Sequence, residues 1–121
     1  MGLYERDRDH WLSLMAQLAK ILIRCFIQFP VYTVEDLNID LALNAGERAL
    51  ARLASEPTAP QAAKHFLREG VALWMGAGEL LLVQKELPAD WRHDAITSIL
   101  DRAANRIGEA AKVLNERDRS Q

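Results

Sequence analysis

Three histidines, one cysteine and four pairs of cations are the residues of this chain best suited to chemistry. A metal site between helices needs Glu-x-x-His or His-x-x-x-His pairs with further carboxylates opposite. His10 and His65 have no such partners, and the nearest approach is Asp90-Trp91-Arg92-His93-Asp94. There Arg92 disfavours a cation, and both aspartates suit the positive end of a helix. Cys25 stands in an apolar stretch between Arg24 and Phe26, where a lone thiol reads as a small core residue rather than a nucleophile. A Gly-x-Ser-x-Gly elbow, a phosphate-cradling glycine loop and a dinucleotide fingerprint are all missing. The reading is a protein that is not an enzyme, with no catalytic residue, metal site, cofactor or small-molecule substrate.

The cations are better organised. Lys20 and Arg24, Arg48 and Arg52, Lys64 and Arg68, and Arg102 and Arg106 are each four residues apart, so each pair shares one helical face. Such pairs are either solvated faces or phosphate contacts. The ideal acid-to-base spacing along the same helices is mostly lacking, which tilts the reading toward use. Arg48, Arg52, Lys64, Arg68, Arg102 and Arg106 are therefore the candidate nucleic-acid contacts. Bulk charge does not add to this, since fifteen Lys+Arg face seventeen Asp+Glu for a net of −2.

The elements that must position these residues are helical. Tyr4, Trp11, Met15, Leu18, Leu22, Cys25 and Phe29 recur at helical spacing and predict a first helix over about 5–28, ended by Pro30. Thr33, with Asp36 three residues on, looks like the cap of a second helix over 34–54. Pro57 and Pro60 mark a loop, after which a third helix is expected over 60–86 with Thr58 near its cap. Leu87-Pro88-Ala89-Asp90 makes the last turn, and a fourth helix follows over 90–116 with Asp90 as cap. Strand and hairpin signals are missing. The expectation is an all-α chain: a single domain over 1–121, folded as an antiparallel up-down-up-down four-helix bundle.

Two of these helices are more apolar than one buried face requires. Val71 to Val83 is interrupted by Glu79, and Ile21 to Phe29 by Arg24 and Gln28. A helix apolar nearly all round is buried on more than one side, so an oligomer is expected, with Ile23, Ile27, Met75 and Leu82 at its interface. Half of the residues are hydrophobic and 26% charged, an ordinary globular balance. A single cysteine, the absence of a roughly 20-residue apolar run and a charged start without a secretory pattern predict a cytoplasmic protein with no membrane contact.

Phe29-Pro30 at the end of the first helix, Phe66-Leu67-Arg68 before an apolar third helix, and Leu100-Asp101-Arg102-Ala103-Ala104 with Ile107, Ala111-Lys112 and Leu114 give the chain a resemblance. It resembles the four-helix-bundle family of the ribosomal-RNA intervening-sequence proteins and the accessory variability determinant of diversity-generating retroelements, over roughly residues 12–115. The resemblance implies a non-enzymatic homo-oligomer, commonly a pentamer, that assists a reverse transcriptase and binds its RNA. The alternative is a protein-only oligomeric scaffold or structural subunit, antitoxin-like or a small helical subunit of an RNA-guided complex.

Overall fold

A computed structural model of the chain describes residues 2–120. The chain is 81% helical and has no strand among the described residues. Its helices are α1 (Leu3–Leu22), α2 (Ile39–Ser55), α3 (Gln61–Glu86) and α4 (Asp90–Arg119), with a short 3-10 turn over Ile23–Cys25. The third and fourth helices begin within a residue of expectation. The first ends early and the second starts late.

Both differences have local causes. The Phe26 N–H donates to the Ile23 carbonyl and the Ile27 N–H to the Leu22 carbonyl, each at 3.0 Å. This pair of bonds is the Schellman ending, which needs a left-handed residue at its corner. Phe26 fills that corner at φ 62°, a position that disfavours a side chain by about 1 kcal/mol. The compensation is burial. Ile27 is 1% exposed, and Phe29 packs edge-on to Trp74 with centroids 5.4 Å apart. At Thr33 the expected capping bonds do form, since the Asp36 N–H donates to the Thr33 hydroxyl at 3.3 Å. They close a single turn that goes no further, because Val34, Glu35 and Asp36 are all exposed and a helix nucleus needs burial to propagate. The helix begins where Ile39 first reaches the core, capped by the Asn38 side chain, which accepts from the Leu41 N–H at 3.1 Å. Thr58 and Asp90 do not cap either: Thr58 bonds the Glu56 carboxylate, and Asp90 is already inside α4.

The direction of the helices departs from the up-down-up-down expectation. Asp7, near the start of α1, meets His93 near the start of α4, while Arg24 just past the end of α1 meets Asp118 near the end of α4. α1 and α4 therefore run the same way. Arg52 at the end of α2 bonds the Phe26 carbonyl, and the start of α2 shares a cavity with Tyr4, Leu82 and Lys85, so α2 runs with them too. Only α3 is reversed. The thirteen residues from Phe26 to Asn38 make this possible. An extended segment of that length spans roughly 40 Å, more than the roughly 26 Å of α2, so the chain can return to its starting end before α2 begins. The five-residue connection expected from the sequence would have been too short.

α3 packs on all three other helices. This accounts for its apolar circumference within one chain and removes most of the argument for an interface there. Ile27 lies in the core. Met75 is half-buried against Gly46, and Leu82 half-buried beside Tyr4 and Leu37. Of the four residues expected at an oligomer interface, Ile23 alone is openly exposed.

The crossing of α1 and α3 is set by two tryptophans. Trp11 and Trp74 stack with centroids 4.3 Å apart and planes 4° from parallel, both fully buried. Each indole N–H donates to the other residue's main-chain carbonyl, at 2.8 Å from Trp11 and 3.1 Å from Trp74. Gly78 makes room for this pair: a Cβ there would lie 2.7 Å from the Trp11 ring. Gly76, two residues away, faces open space. Gly78→Ala should thus lower the unfolding free energy by about 1–3 kcal/mol through overpacking, whereas Gly76→Ala should raise it by about 1 kcal/mol through helix propensity. Urea unfolding of the two variants checks the opposite signs.

Candidate functional site

The returning segment after Phe26 lies in the groove between α1 and α2 and leaves an opening on either side. Each opening is about 650 Å³. One is lined by Phe26, Ile27, Ala49 and Arg52, the other by Ile23, Phe29 and Tyr32, and Gln28, Pro30 and Arg48 belong to both. Arg52 Nη2 donates to the Phe26 carbonyl at 3.3 Å, which fixes that guanidinium against the helix ending. Arg48 has no carboxylate within 4.0 Å among the described residues. Among the described residues, five of the eight large hydrophobic side chains that stand exposed fall between the end of α1 and the start of α2: Ile23, Phe26, Val31, Val34 and Leu41. Apolar walls with two guanidinium groups suit an acidic, partly apolar partner, with the cations supplying charge-assisted hydrogen bonds.

The six candidate cations do not form one patch. Arg48 and Arg52 share the α2 cavity, and Arg102 and Arg106 share a separate cleft of about 210 Å³ on α4 with Asp101 and Asn105. Arg106 is also 3.4 Å from Glu69, which pairs with His65 at 2.8 Å. Lys64 is buried, and its Nζ donates to the Glu56 carbonyl at 2.5 Å. It therefore closes the α2–α3 loop instead of facing solvent. Arg68 is exposed on α3. Burial pushes the Cys25 thiol up, against the opposing pull of Arg117, which suits the inert core role expected of it.

A polar cluster at the opposite end escaped the sequence reading. Asp7 is 1% exposed; its Oδ2 accepts from Gln84 Nε2 at 3.0 Å, and its Oδ1 lies 2.5 Å from His93 Nδ1. Gln84 also bonds both the N–H and the carbonyl of Ala89, and Arg92 bonds the Gln84 side chain and the Leu87 carbonyl. Arg92 in turn lies over the exposed Trp91 ring at 4.5 Å. A buried carboxylate holding an imidazole is half of a catalytic arrangement. Here every bond runs between helix ends, and the only cysteine lies at the other end of α1. The cluster joins the start of α1, the end of α3 and the start of α4. Its signal in the sequence was register: Asp7 precedes Trp11 by four residues and Gln84 follows Leu81 by three, so both polar residues sit on apolar stripes.

No group of three or more His, Cys, Asp or Glu among the described residues is placed to hold a metal ion, and no described helix is long and apolar enough to cross a membrane. Comparison with protein families, with curated proteins and with solved structures finds no match to this chain.

Two expectations follow. Asp7→Ala leaves Gln84 and His93 without their buried partner and should lower the unfolding free energy by about 3 kcal/mol; a loss below about 1 kcal/mol in chemical denaturation would remove the cluster from the interactions that hold the helix ends. At the other end, the Arg24 guanidinium at 2.7 Å, and then Arg117, hold the Asp118 carboxyl below the usual aspartate value. A depressed carboxylate contributes stability above its unfolded-state pKa and loses it as pH falls through the folded one. Arg24→Gln should therefore move the Asp118 carboxyl titration upward when followed by carbon-13 NMR.

Proposed function

We propose that this chain is a non-enzymatic, self-associating helical scaffold that binds protein through the surface around the returning segment. The observation that carries the reading is the run of exposed Ile23, Phe26, Val31, Val34 and Leu41 from the end of α1 to the start of α2, with Ile23 and Phe26 lining the openings that hold Arg48 and Arg52. Exposed apolar patches rimmed by charge mark protein contacts, and aromatic and arginine side chains dominate their energy. Three of the six residues expected to touch nucleic acid are otherwise engaged, with Lys64 bound to the Glu56 carbonyl, Arg52 to the Phe26 carbonyl and Arg106 facing Glu69.

A second reading keeps the RNA-binding accessory of a reverse transcriptase that the resemblance implies. Its support is that Arg48, Arg52, Arg68 and Arg102 have no carboxylate within 4.0 Å among the described residues. Each phosphate contact contributes a slope of about −0.9 to the dependence of log affinity on log salt. Four contacts spread over three helices amount to a slope of about −4 at most, which is modest for a protein whose net charge is −2.

Light scattering joined to an anisotropy titration of a structured RNA separates the two. The scaffold reading expects a mass above that of one 13.6 kDa chain and no RNA binding at near-physiological salt. A monomer would overturn it. RNA binding that weakens steeply with salt, and is lost in Arg48→Glu with Arg102→Glu, would replace it with the accessory reading.

A further inference from the structure

The surface around the returning segment is polar in one sense along its length. Glu35 and Asp36, both exposed, stand in the turn just before α2. Asp40 adds to the acidic end. Arg48 and Arg52 stand toward the other end of α2, with Arg52 tied to Phe26 and exposed Glu47 about 100° round the helix from Arg48. Leu41, Arg48 and Arg52 are separated by seven and then four residues, close to whole helical turns, and so form one exposed stripe on the flank of α2 beside the returning segment. The stripe is about 17 Å long. Its apolar members are distributed along it: Phe26 lies at the cationic end, Val34 at the acidic end and Leu41 between them, 67%, 44% and 54% exposed respectively.

Resting on the self-association reading, we infer that this surface is a two-fold interface between two copies of the chain, with α2 of each copy antiparallel to α2 of the other. A two-fold axis across α2 brings Glu35 and Asp36 of one copy over Arg48 and Arg52 of its partner, and the reverse, so both charge pairs are satisfied by one operation. A parallel arrangement would set like charges opposite each other and is disfavoured. The same operation lays Phe26 of each copy against Val34 of the other and covers Leu41 on both sides. The occupant is therefore argued from charge: the acidic, apolar segment that fits the Arg48 cavities is carried by the chain itself. α2 is free to take this role because the helix it packs on most is α3, through its buried stripe, while Leu41, Arg48 and Arg52 stay exposed.

Complementary charge reversal tests the arrangement. Wild-type protein should sediment at twice 13.6 kDa. R48E with R52E should fall to the single-chain mass, and E35K with D36K should do the same, because each places like charges across the axis. Mixed together, the two variants should recover the doubled mass as a heterodimer. Leu41→Asp gives an independent disruption, since an acid in the first turn of α2 favours the helix while a charge at the centre of the interface opposes it. Circular dichroism of each variant should match wild type. A folded charge variant that keeps the wild-type mass, or a folded mixture that stays monomeric, overturns this interface alone. A wild-type chain that remains at the single-chain mass overturns both the interface and the scaffold reading.

Discussion

The interlocked tryptophans decide how the rest of the chain can lie. Stacking two buried indoles adds about 1 kcal/mol beyond their burial, but the greater constraint is polar. Each N–H must find an acceptor inside the core or lose about 1–3 kcal/mol, and each finds it on the other helix's main chain. That fixes the distance, the rotation and the register of α1 against α3 together. Gly78 follows from it, because nothing larger fits beside Trp11, and so does the position of Phe29, whose ring closes the open edge of Trp74.

With that crossing fixed, the chain leaving α1 has to cover the pair. A helix continued to Gln28 would leave Ile27 and Phe29 on a rigid helical face; the turn at Phe26 breaks that face early and aims both inward. Covering the tryptophans with extended chain has a second effect. It takes the segment back to its starting end, sets α2 parallel to α1, and leaves α3 as the only helix that opposes its neighbours. The two polar clamps then fasten the ends of α1 to the ends of α4: Asp7 with His93 at one end, Arg24 with Asp118 at the other. Among the described residues, no comparable clamp of side chains ties both ends of α2.

How much of this the sequence disclosed follows from the range of the interactions. The Pro57–Pro60 loop, the start of α3 and the start of α4 rest on residues within a few positions of each other, and they were legible. Helical spacing suggests Trp11, Trp74 and Trp91 alike as core anchors, which holds for the first two, whereas Trp91 is 65% exposed. The end of α1 was hidden because Phe26 takes a backbone conformation normally left to glycine, repaid by contacts made far along the chain. The start of α2 was misplaced because Thr33 and Asp36 do make their local bonds, and only the lack of anything to bury stops the helix there. Helix direction could not be read, since it depended on that connection's length. Asp7 and His93 are 86 residues apart, and their pairing has no local trace beyond a carboxylate on an apolar stripe. The candidate site was legible as residue types, in Arg48 and Arg52, but not as a surface, because the apolar half of it comes from a segment read as helix.

The same architecture explains why the exposed apolar residues collect where they do. Local stability follows the density of buried contacts and fixed ends, and α2 with its leading segment is held principally through one face on α3. A segment of this kind has apolar residues beyond those its own chain can cover, as Val31, Val34 and Leu41 show. Burying them inside one chain would need a further helix over α2; burying them against a second copy needs only the charge pattern already present along it. On the proposed interface, association of the folded form would add to folding stability by mass action, and that gain would fall on the helix that the tryptophan pair and the two end clamps leave least secured.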